Sequence, residues 1–359
     1  MQLKNVLRFP FDIHRANRIL ANRAATIIDL GPIYPNRPIV LDLYTSQMLL
    51  DCGRHFASLA HYSGKIGSRF AVRSTRLMLA GIAHKRYGAE MLAQPHATWI
   101  PADGEIPAAA LVLSDVSLSQ QTRSRSTGPT FEMLIGRDIP PNRPVMPYPM
   151  HPATLSGFEK HRLNDLREPR NREGILFAGS QKARYSRNPM QRTFGVLGRL
   201  QLLETLRQIQ DPSIVLRDSA TEPIEANDWL PFLAKHRFFV CCPGVAQPMC
   251  HNLIESMSVG TIPLIEYGDR LRPELVDGFN AVCFRGSNGL REAIARIRGF
   301  SIDQLEQMSR NVSQTYDESL CGKQFLRSLR DATVDTAAGQ VVMPFHSENL
   351  FASERSDAA

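Results

Sequence analysis

The chain has 359 residues, of which 43% are hydrophobic and 21% are charged. This is enough for two domains with separate cores, because single cores tend to split beyond about 250 residues. The composition excludes a disulfide-framed peptide and a disordered chain.

The net charge of +7 comes from an excess of arginine: seven of the 42 basic residues are lysine and the other 35 are arginine. Arginine favours bidentate contact with phosphate or carboxylate, so this bias suggests nucleotides, nucleic acid or acidic lipid headgroups as partners. A GC-rich genome gives the same bias, so the charge alone does not identify a function.

Neither the cysteines nor the N-terminal segment indicates export. The six cysteines contain no Cys-x-x-Cys pair, and Cys241 and Cys242 lie in an apolar run as packed thiols. The first twenty residues carry charges throughout, and the chain has no run of about 18 apolar residues. We therefore expect reduced cysteines and a cytoplasmic protein, with association at the cytoplasmic face of a membrane left open.

The first part of the chain alternates short apolar runs with longer periodic segments. Residues 38–45 (PIVLDLYT) and 106–114 (IPAAALVLS) predict strands, and residues 48–62 predict a helix. Residues 118–172 are rich in proline, which interrupts regular structure. A domain boundary is predicted in this region.

The second half has five short apolar runs separated by helical patterns or by gaps of helix length. Such alternation predicts a parallel sheet covered on both faces. Three helices follow. The predicted strands are residues 174–179, 213–217, 237–242, 261–266 and 280–284, and the predicted helices are residues 289–298, 302–316 and 321–332.

The most informative segment is residues 237–284. A strand leads into Pro243-Gly244, and a helix is predicted to begin near Pro248 and to end at Gly260. The next strand begins at once, and Pro263 predicts that this strand end is irregular. The helix buries one stripe and places His251 and Glu255 one turn apart on another face; the stripe consists of Cys250, Leu253, Ile254 and Met257. A glycine turn followed by a helix N-terminus can receive a diphosphate, with Glu255 available to ribose hydroxyls. A solvated His251–Glu255 pair is the alternative.

The motif CPG…HNLIESMSVGTIPLIEYGDRL…DGFNAVCF resembles the nucleotide-sugar segment of GT-B glycosyltransferases, especially the exostosin-like and group 1 types. The resemblance covers about residues 173–335 and implies an α/β fold with two Rossmann-like domains facing across a cleft. It implies a ribose contact for Glu255 and donor-site roles for Gly244, His251 and Asn252. Group 1 families often carry a glutamate eight residues before this position, where this chain has Gln247.

The segment GILFAGS at residues 174–180 resembles the first strand of the GT-B donor domain, with Gly179 at the turn. A basic stretch without acidic residues follows. Its cations can neutralise a departing nucleoside diphosphate, although a solvated basic loop has the same sequence. The stretch contains Lys182, Arg184, Arg187, Arg192 and Arg199. The first four are the candidates, and the resemblance favours Arg184, Arg187 or Arg192.

The resemblance gives the domain organisation as an N-terminal acceptor-side domain (1–150), a Pro/Arg-rich linker (151–172), a C-terminal nucleotide-sugar-binding domain (173–335) and a tail (336–359). An inverting reaction needs a general base in the first domain. The leading candidates are Asp51, His55 and His151, with His61 and Asp115 also considered.

No Asp-x-Asp motif and no zinc-ligand spacing is present, so the sequence predicts a metal-independent enzyme without a cofactor. The predicted function is transfer of a sugar from a nucleoside diphosphate sugar to a saccharide or lipid-linked saccharide in bacterial surface polysaccharide synthesis. The alternatives are a basic nucleic-acid or anionic-surface binding protein and a catalytically inert member of the same fold.

Overall fold

The computed structural model describes residues 3–24, 35–45, 53–116, 127–136, 143–168, 172–181, 189–244, 248–332 and 338–344. The chain divides into two units. Unit 1 comprises Met1–Met146 and Gly322–Ala359, and unit 2 comprises Pro147–Cys321.

The helices and strands are numbered in chain order. The first part of unit 1 contains α1 (Leu3–Ala24), β1 (Asn36–Asp42), α2 (Gly53–Lys65), β2 (Ser68–Ser74), α3 (Arg76–His84), α4 (Arg86–Leu92), β3 (Ala97–Pro101), β4 (Leu111–Ser114) and β5 (Thr130–Gly136). Unit 2 contains α5 (Pro152–Gly157), α6 (Leu163–Arg167), β6 (Glu173–Ala178), α7 (Pro189–Phe194), α8 (Arg199–Ile209), β7 (Ile214–Arg217), α9 (Ala226–Ala234), β8 (His236–Val240), α10 (His251–Ser258), β9 (Ile262–Ile265), β10 (Val282–Cys283), α11 (Gly286–Ile297) and α12 (Ile302–Thr315). The chain then returns to unit 1 with α13 (Gly322–Arg330) and β11 (Ala338–Pro344).

Each unit has its own parallel sheet. The strand order is β11-β5-β4-β1-β2-β3 in unit 1 and β10-β9-β8-β6-β7 in unit 2. The central strands contain continuous apolar segments, as is typical of parallel strands buried on both faces; Ile39, Val40 and Leu41 of β1 are fully buried. The predicted fold class of two Rossmann-like α/β domains is confirmed.

The five strands predicted in the second half correspond to β6 to β10, and the three helices that follow correspond to α11, α12 and α13. In the first half, residues 38–45 overlap β1 and residues 106–114 contain β4, and α2 overlaps the predicted helix from Gly53 onward. Helix α1 has no counterpart among the sequence-based predictions. Pro263, expected at an irregular strand end, lies inside β9 opposite Phe239.

The predicted domain limits differ from the observed units at both ends. Residues 151–172 contribute α5 and α6 to unit 2, so this segment is part of a domain. Residues 322–335 and the expected tail belong to unit 1, where β11 pairs with β5. The sequence predicted α13 but not α5, α6 or β11, and pairing partners far apart in sequence decide which core each element joins.

Two arginines of the expected linker are structural. Arg172 is buried and donates to the carbonyl of Leu166. Arg167 donates through Nε to the carbonyl of Ser258 and through Nη1 and Nη2 to the carboxylate of Asp317. Burial lowers the pKa of Arg172 to about 10. Part of the arginine excess therefore serves the packing of unit 2.

Candidate functional site

The strand order of unit 2 reverses between β6 and β8. The chain moves from β6 outward to β7, and then builds β8, β9 and β10 on the other side of β6. In open parallel sheets, ligands bind at such a switch point, beyond the carboxyl ends of the two strands. This rule identifies the ends of β6 and β8 as the candidate site.

The two glycine turns singled out in the sequence lie at this switch point. Gly179 directly follows β6, and Gly244 lies in the loop that follows β8. The space at Gly179 is tight, because an added Cβ would lie 3.3 Å from Sγ of Cys242 and 3.4 Å from Cδ of Arg199. Glycine at residue 179 lets the two loops approach each other closely.

Arg199, the first residue of α8, lies between these loops. Its guanidinium donates to the carbonyls of Ser180 and Pro243, at 3.3 Å each. The residue is 9% exposed. A buried cation at the carboxyl edge of the sheet attracts anions. The sequence analysis included Arg199 in the basic stretch but did not select it as a donor-site candidate.

Helix α10 begins at His251, three residues later than predicted from Pro248, with Cys250 as its N-cap. Its predicted buried stripe is confirmed: Cys250, Leu253, Ile254 and Met257 are each at most 5% exposed. Asn252 in the first turn donates to the carbonyl of Ala178 at 3.3 Å and so ties α10 to the end of β6.

Gly260 follows the C-terminus of α10, as predicted, and adopts a left-handed φ of 75°. Such a residue commonly ends a helix, and glycine carries no steric penalty there. An added Cβ would also meet Oγ of Ser313 at 2.7 Å. The strand β9 can therefore begin at once.

Glu255 does not reach the surface of unit 2. It is 0% exposed; Oε1 accepts the backbone N–H of His151 at 2.8 Å, and Oε2 accepts the indole N–H of Trp229 at 2.6 Å. The carboxylate joins α10 to α9 and to the start of α5. The expectation that Glu255 is open to ribose hydroxyls is not met in this arrangement, because two protein donors occupy it.

His151, expected in the acceptor-side domain, belongs to unit 2. Its Nδ1 accepts the N–H of Ala153, which caps α5. The imidazoles of His151 and His251 lie 5.5 Å apart, measured between ring centroids. The structure thus brings both histidines together beside Glu255, and the pairing depends on a contact that spans 104 positions of the sequence.

Unit 1 has its own switch point, between β1 and β4. There the buried Arg73 donates to both carboxylate oxygens of Asp42 and, at 2.9 Å, to the hydroxyl of Tyr44. The backbone N–H groups of Tyr44 and Thr45 donate to Asp115, each at 2.7 Å. Tyr44 is nevertheless 45% exposed, so a fixed aromatic ring stands at this edge of the sheet.

The structure does not favour His55 as a general base. It lies on α2 and is 3% exposed, and burial lowers its pKa to about 3. A base works best when its pKa is near the operating pH. The carboxylate of Asp115 accepts hydrogen bonds from the backbone of the loop after β1.

Arg192 lies on α7 and is exposed. Five further candidates lie outside the described residues: Asp51, Lys182, Arg184, Arg187 and Gln247. Within the described ranges, no group of three or more His, Cys, Asp or Glu side chains could hold a metal ion.

A cavity of 730 Å³ lies beside the ends of β9 and β10, away from the switch point of unit 2. Glu266 lines it and accepts the N–H groups of Leu197 and Gly286, which fixes the loops before α8 and α11. Burial raises the pKa of Cys283, also in its lining, to about 11. This thiol is therefore not an activated nucleophile.

No helix among the described parts of the chain has the length and apolar character needed to span a bilayer. No protein-family model and no curated protein matches the sequence.

Several solved structures are similar to the chain at low identity. A glycosyltransferase from Rickettsia africae ESF-5 is 11% identical with a TM-score of 0.36, over 82% of this chain and 97% of that one. Anabaena Alr3699/HepE, solved with UDP and glucose, is 8% identical with a TM-score of 0.44, over 82% and 98%. A UDP-N-acetylglucosamine 2-epimerase from Listeria monocytogenes, described as putative, is 11% identical with a TM-score of 0.38, over 82% and 94%. These similarities do not assign a reaction to the chain.

Proposed function

We propose that the protein is a GT-B glycosyltransferase that binds a nucleoside diphosphate sugar at the switch point of unit 2. The observation that carries the proposal is the position of the glycine turns at Gly179 and Gly244, which border that switch point. The sequence motif that contains Glu255 begins at the same place, in the loop with Gly244. Both arguments, one from topology and one from sequence, select the same loops.

The diphosphate is proposed to lie between the two loops, near the first turn of α10. Backbone N–H groups and the helix dipole favour negative charge there by about 0.5–2 kcal/mol. Arg199 adds a full positive charge held by Ser180 and Pro243. When the bond between the sugar and the diphosphate breaks, negative charge develops on the leaving group, and these groups stabilise it without a metal ion.

Glu255 is proposed to position the site. Its carboxylate holds the backbone of His151 and the ring of Trp229, and this places the imidazole of His151 beside that of His251. The two imidazoles then lie at the first turn of α10, where the nucleoside diphosphate sugar is proposed to bind. Nδ1 of His151 accepts the N–H of Ala153, so in the neutral imidazole the proton lies on Nε2.

The acceptor is proposed to be a saccharide or a lipid-linked saccharide that binds at the switch point of unit 1. Tyr44 offers a ring on which a sugar can stack, and the Asp42–Arg73 pair prevents the ring from moving. Metal independence, surface polysaccharide synthesis and a cytoplasmic location are parts of the same proposal.

Thermal denaturation with UDP, GDP, CMP and their sugar conjugates tests the proposal. A ligand at 100 times its dissociation constant stabilises the folded protein by about 2.7 kcal/mol. We expect one nucleotide and its sugar conjugate to raise the melting temperature and the others to leave it unchanged. A flat response to all of them contradicts the proposal and favours an inert member of the fold.

Arg199→Lys provides the matching variant, because lysine keeps the charge but cannot bridge two carbonyls with a planar fork. We expect the substitution to weaken the apparent affinity for the nucleotide at least tenfold and so to reduce the nucleotide-induced rise in melting temperature. Arg291→Ala on α11 is the control, since Arg291 contacts only surface partners among its described hydrogen bonds. Equal effects of both substitutions would argue against Arg199 as an anion contact.

A further inference from the structure

The N-terminal helix α1 presents a basic and aromatic face to solvent. Its inner face packs against α3 through the fully buried Ala16, and Asp12 lies 3.3 Å from Nδ1 of His84. The opposite face carries Arg8, Phe11, Arg15 and Arg18, which we call the basic stripe. All four side chains are exposed.

The helical period explains why these four residues share one face. They are spaced three, four and three positions apart, so each lies about one turn from the next. Phe11 is 78% exposed, the largest exposed fraction among the large hydrophobic side chains of the described residues. A phenylalanine so exposed, with arginine one turn to either side, is an apolar group set within positive charge.

The charge of α1 is one-sided. Its sequence contains five Lys or Arg residues and one acidic residue, Asp12, which faces His84. Each basic residue near an anionic membrane surface contributes roughly a fivefold gain in binding, and an exposed aromatic ring adds to this by entering the interfacial layer. The basic stripe therefore fits a surface that combines negative charge with accessible hydrocarbon.

We propose that the basic stripe docks the protein on an anionic lipid bilayer. Single-stranded nucleic acid is the other polyanion with apolar faces, but proteins bind it in a charged groove with several aromatic platforms. The basic stripe has one aromatic ring on the convex surface of a helix. Docking of this kind is peripheral, since the inner face of α1 stays packed on α3.

Flotation of the full-length protein with lipid vesicles tests the proposal without any assumption about catalysis. The vesicles contain phosphatidylcholine alone or with 30% phosphatidylglycerol. We expect binding to the anionic vesicles only, with a strong decrease when salt is raised from 50 to 500 mM because the charges become screened. Binding that is equal on neutral vesicles overturns the electrostatic part of the proposal.

Two variants locate the contact. Arg15→Ala with Arg18→Ala is expected to lower the vesicle partition coefficient roughly thirtyfold, from two arginines at about fivefold each. Phe11→Ser is expected to lower it several-fold without changing the charge. Arg310→Ala with Arg327→Ala removes the same charge from exposed sites on α12 and α13 and is expected to change binding less than twofold.

Three outcomes overturn the proposal: no binding to anionic vesicles, equal losses in the stripe and control variants, or full binding by Phe11→Ser. Binding to a single-stranded RNA that the stripe variants weaken, with no vesicle binding, assigns the stripe to nucleic acid instead. Circular dichroism of every variant checks that α1 stays folded, which the exposure of these side chains leads us to expect.

Discussion

The backbone N–H of His151 donates to Oε1 of Glu255 over 2.8 Å, although the two residues are 104 positions apart. This bond, with that of Trp229 to Oε2, makes a fully buried carboxylate the meeting point of three helices of unit 2. A carboxylate in this setting has a large effect on stability as well as any effect on ligand binding.

Replacement of Glu255 by alanine is expected to destabilise the protein by about 2–5 kcal/mol, because two partly buried donors lose their carboxylate acceptor. A ribose contact without a structural role would instead give loss of donor binding with an intact fold. Urea unfolding followed by circular dichroism measures the change. Glu292→Ala, at an exposed position of α11, is the control and is expected to stay within 0.5 kcal/mol of wild type, about the limit for surface substitutions. Unchanged stability of Glu255→Ala with lost nucleotide binding would restore the ribose contact and remove the positioning role.

The two tryptophans of the chain allow a matched comparison. Trp229→Phe keeps an aromatic ring near Phe232 and Phe239 but removes the donor to Glu255, and is expected to cost about 1.5–3 kcal/mol. Trp99→Phe removes a longer bond to the neutral hydroxyl of Ser74, 3.3 Å, and is expected to cost about 1 kcal/mol or less. Urea denaturation of both variants gives the difference, and a larger cost at Trp99 contradicts the assignment.

The stability of the protein is expected to fall in mild acid because of His55. The pKa of His55 is about 3 in the folded protein and 6.5 in the unfolded chain. Below pH 6.5 the imidazole therefore binds a proton in the unfolded chain but stays neutral in the folded protein. The contribution is complete above pH 6.5 and is lost as the pH falls toward 3, with about 2 kcal/mol lost between pH 7.5 and pH 5.0.

Urea unfolding of His55→Leu at these two pH values tests this sign. The variant is expected to lose less stability than wild type over the interval, whatever its stability at pH 7.5. His14→Leu, at an exposed position, is expected to keep the wild-type pH dependence. A steeper dependence in His55→Leu would show that burial does not keep this imidazole neutral.

Asp42 and Arg73 are expected to be strongly coupled. Both are buried and 3.0 Å apart, so removal of either partner leaves an uncompensated charge and costs about 3–5 kcal/mol. Asp42→Ala, Arg73→Ala and the double variant form a cycle measured by chemical denaturation. The double variant is expected to cost clearly less than the two single costs added together, because neither charge is then left alone. Additive costs would show that the pair does not act as a unit.

The basic stripe and the nucleotide site have separate tests. Flotation does not depend on the reaction, and nucleotide-induced stabilisation does not depend on lipid. The proposed function and the proposed membrane contact can therefore fail independently of each other.

Local pattern was sufficient for most elements of unit 2. Continuous apolar runs such as RFFVCC and TIPLIE correspond to β8 and β9, because a strand buried on both faces needs apolar residues at every position. The conformational freedom of Gly260 predicted the end of α10, and helical spacing predicted the buried stripe of this helix. The same reasoning missed α1, although Phe9, Ile13, Ala16 and Leu20 recur along it at helical spacing.

The sequence by itself determined the α/β class, the two glycine turns and the order of strands along the chain, since each follows from short-range periodicity and backbone preference. Only the tertiary structure decided that Glu255 is enclosed by His151 and Trp229, that Arg199 lies between the two loops, and that the last described strand returns to unit 1. These features depend on contacts between residues far apart in the chain. Such contacts result from the packing of whole sheets and helices, so the local sequence around each residue does not predict them.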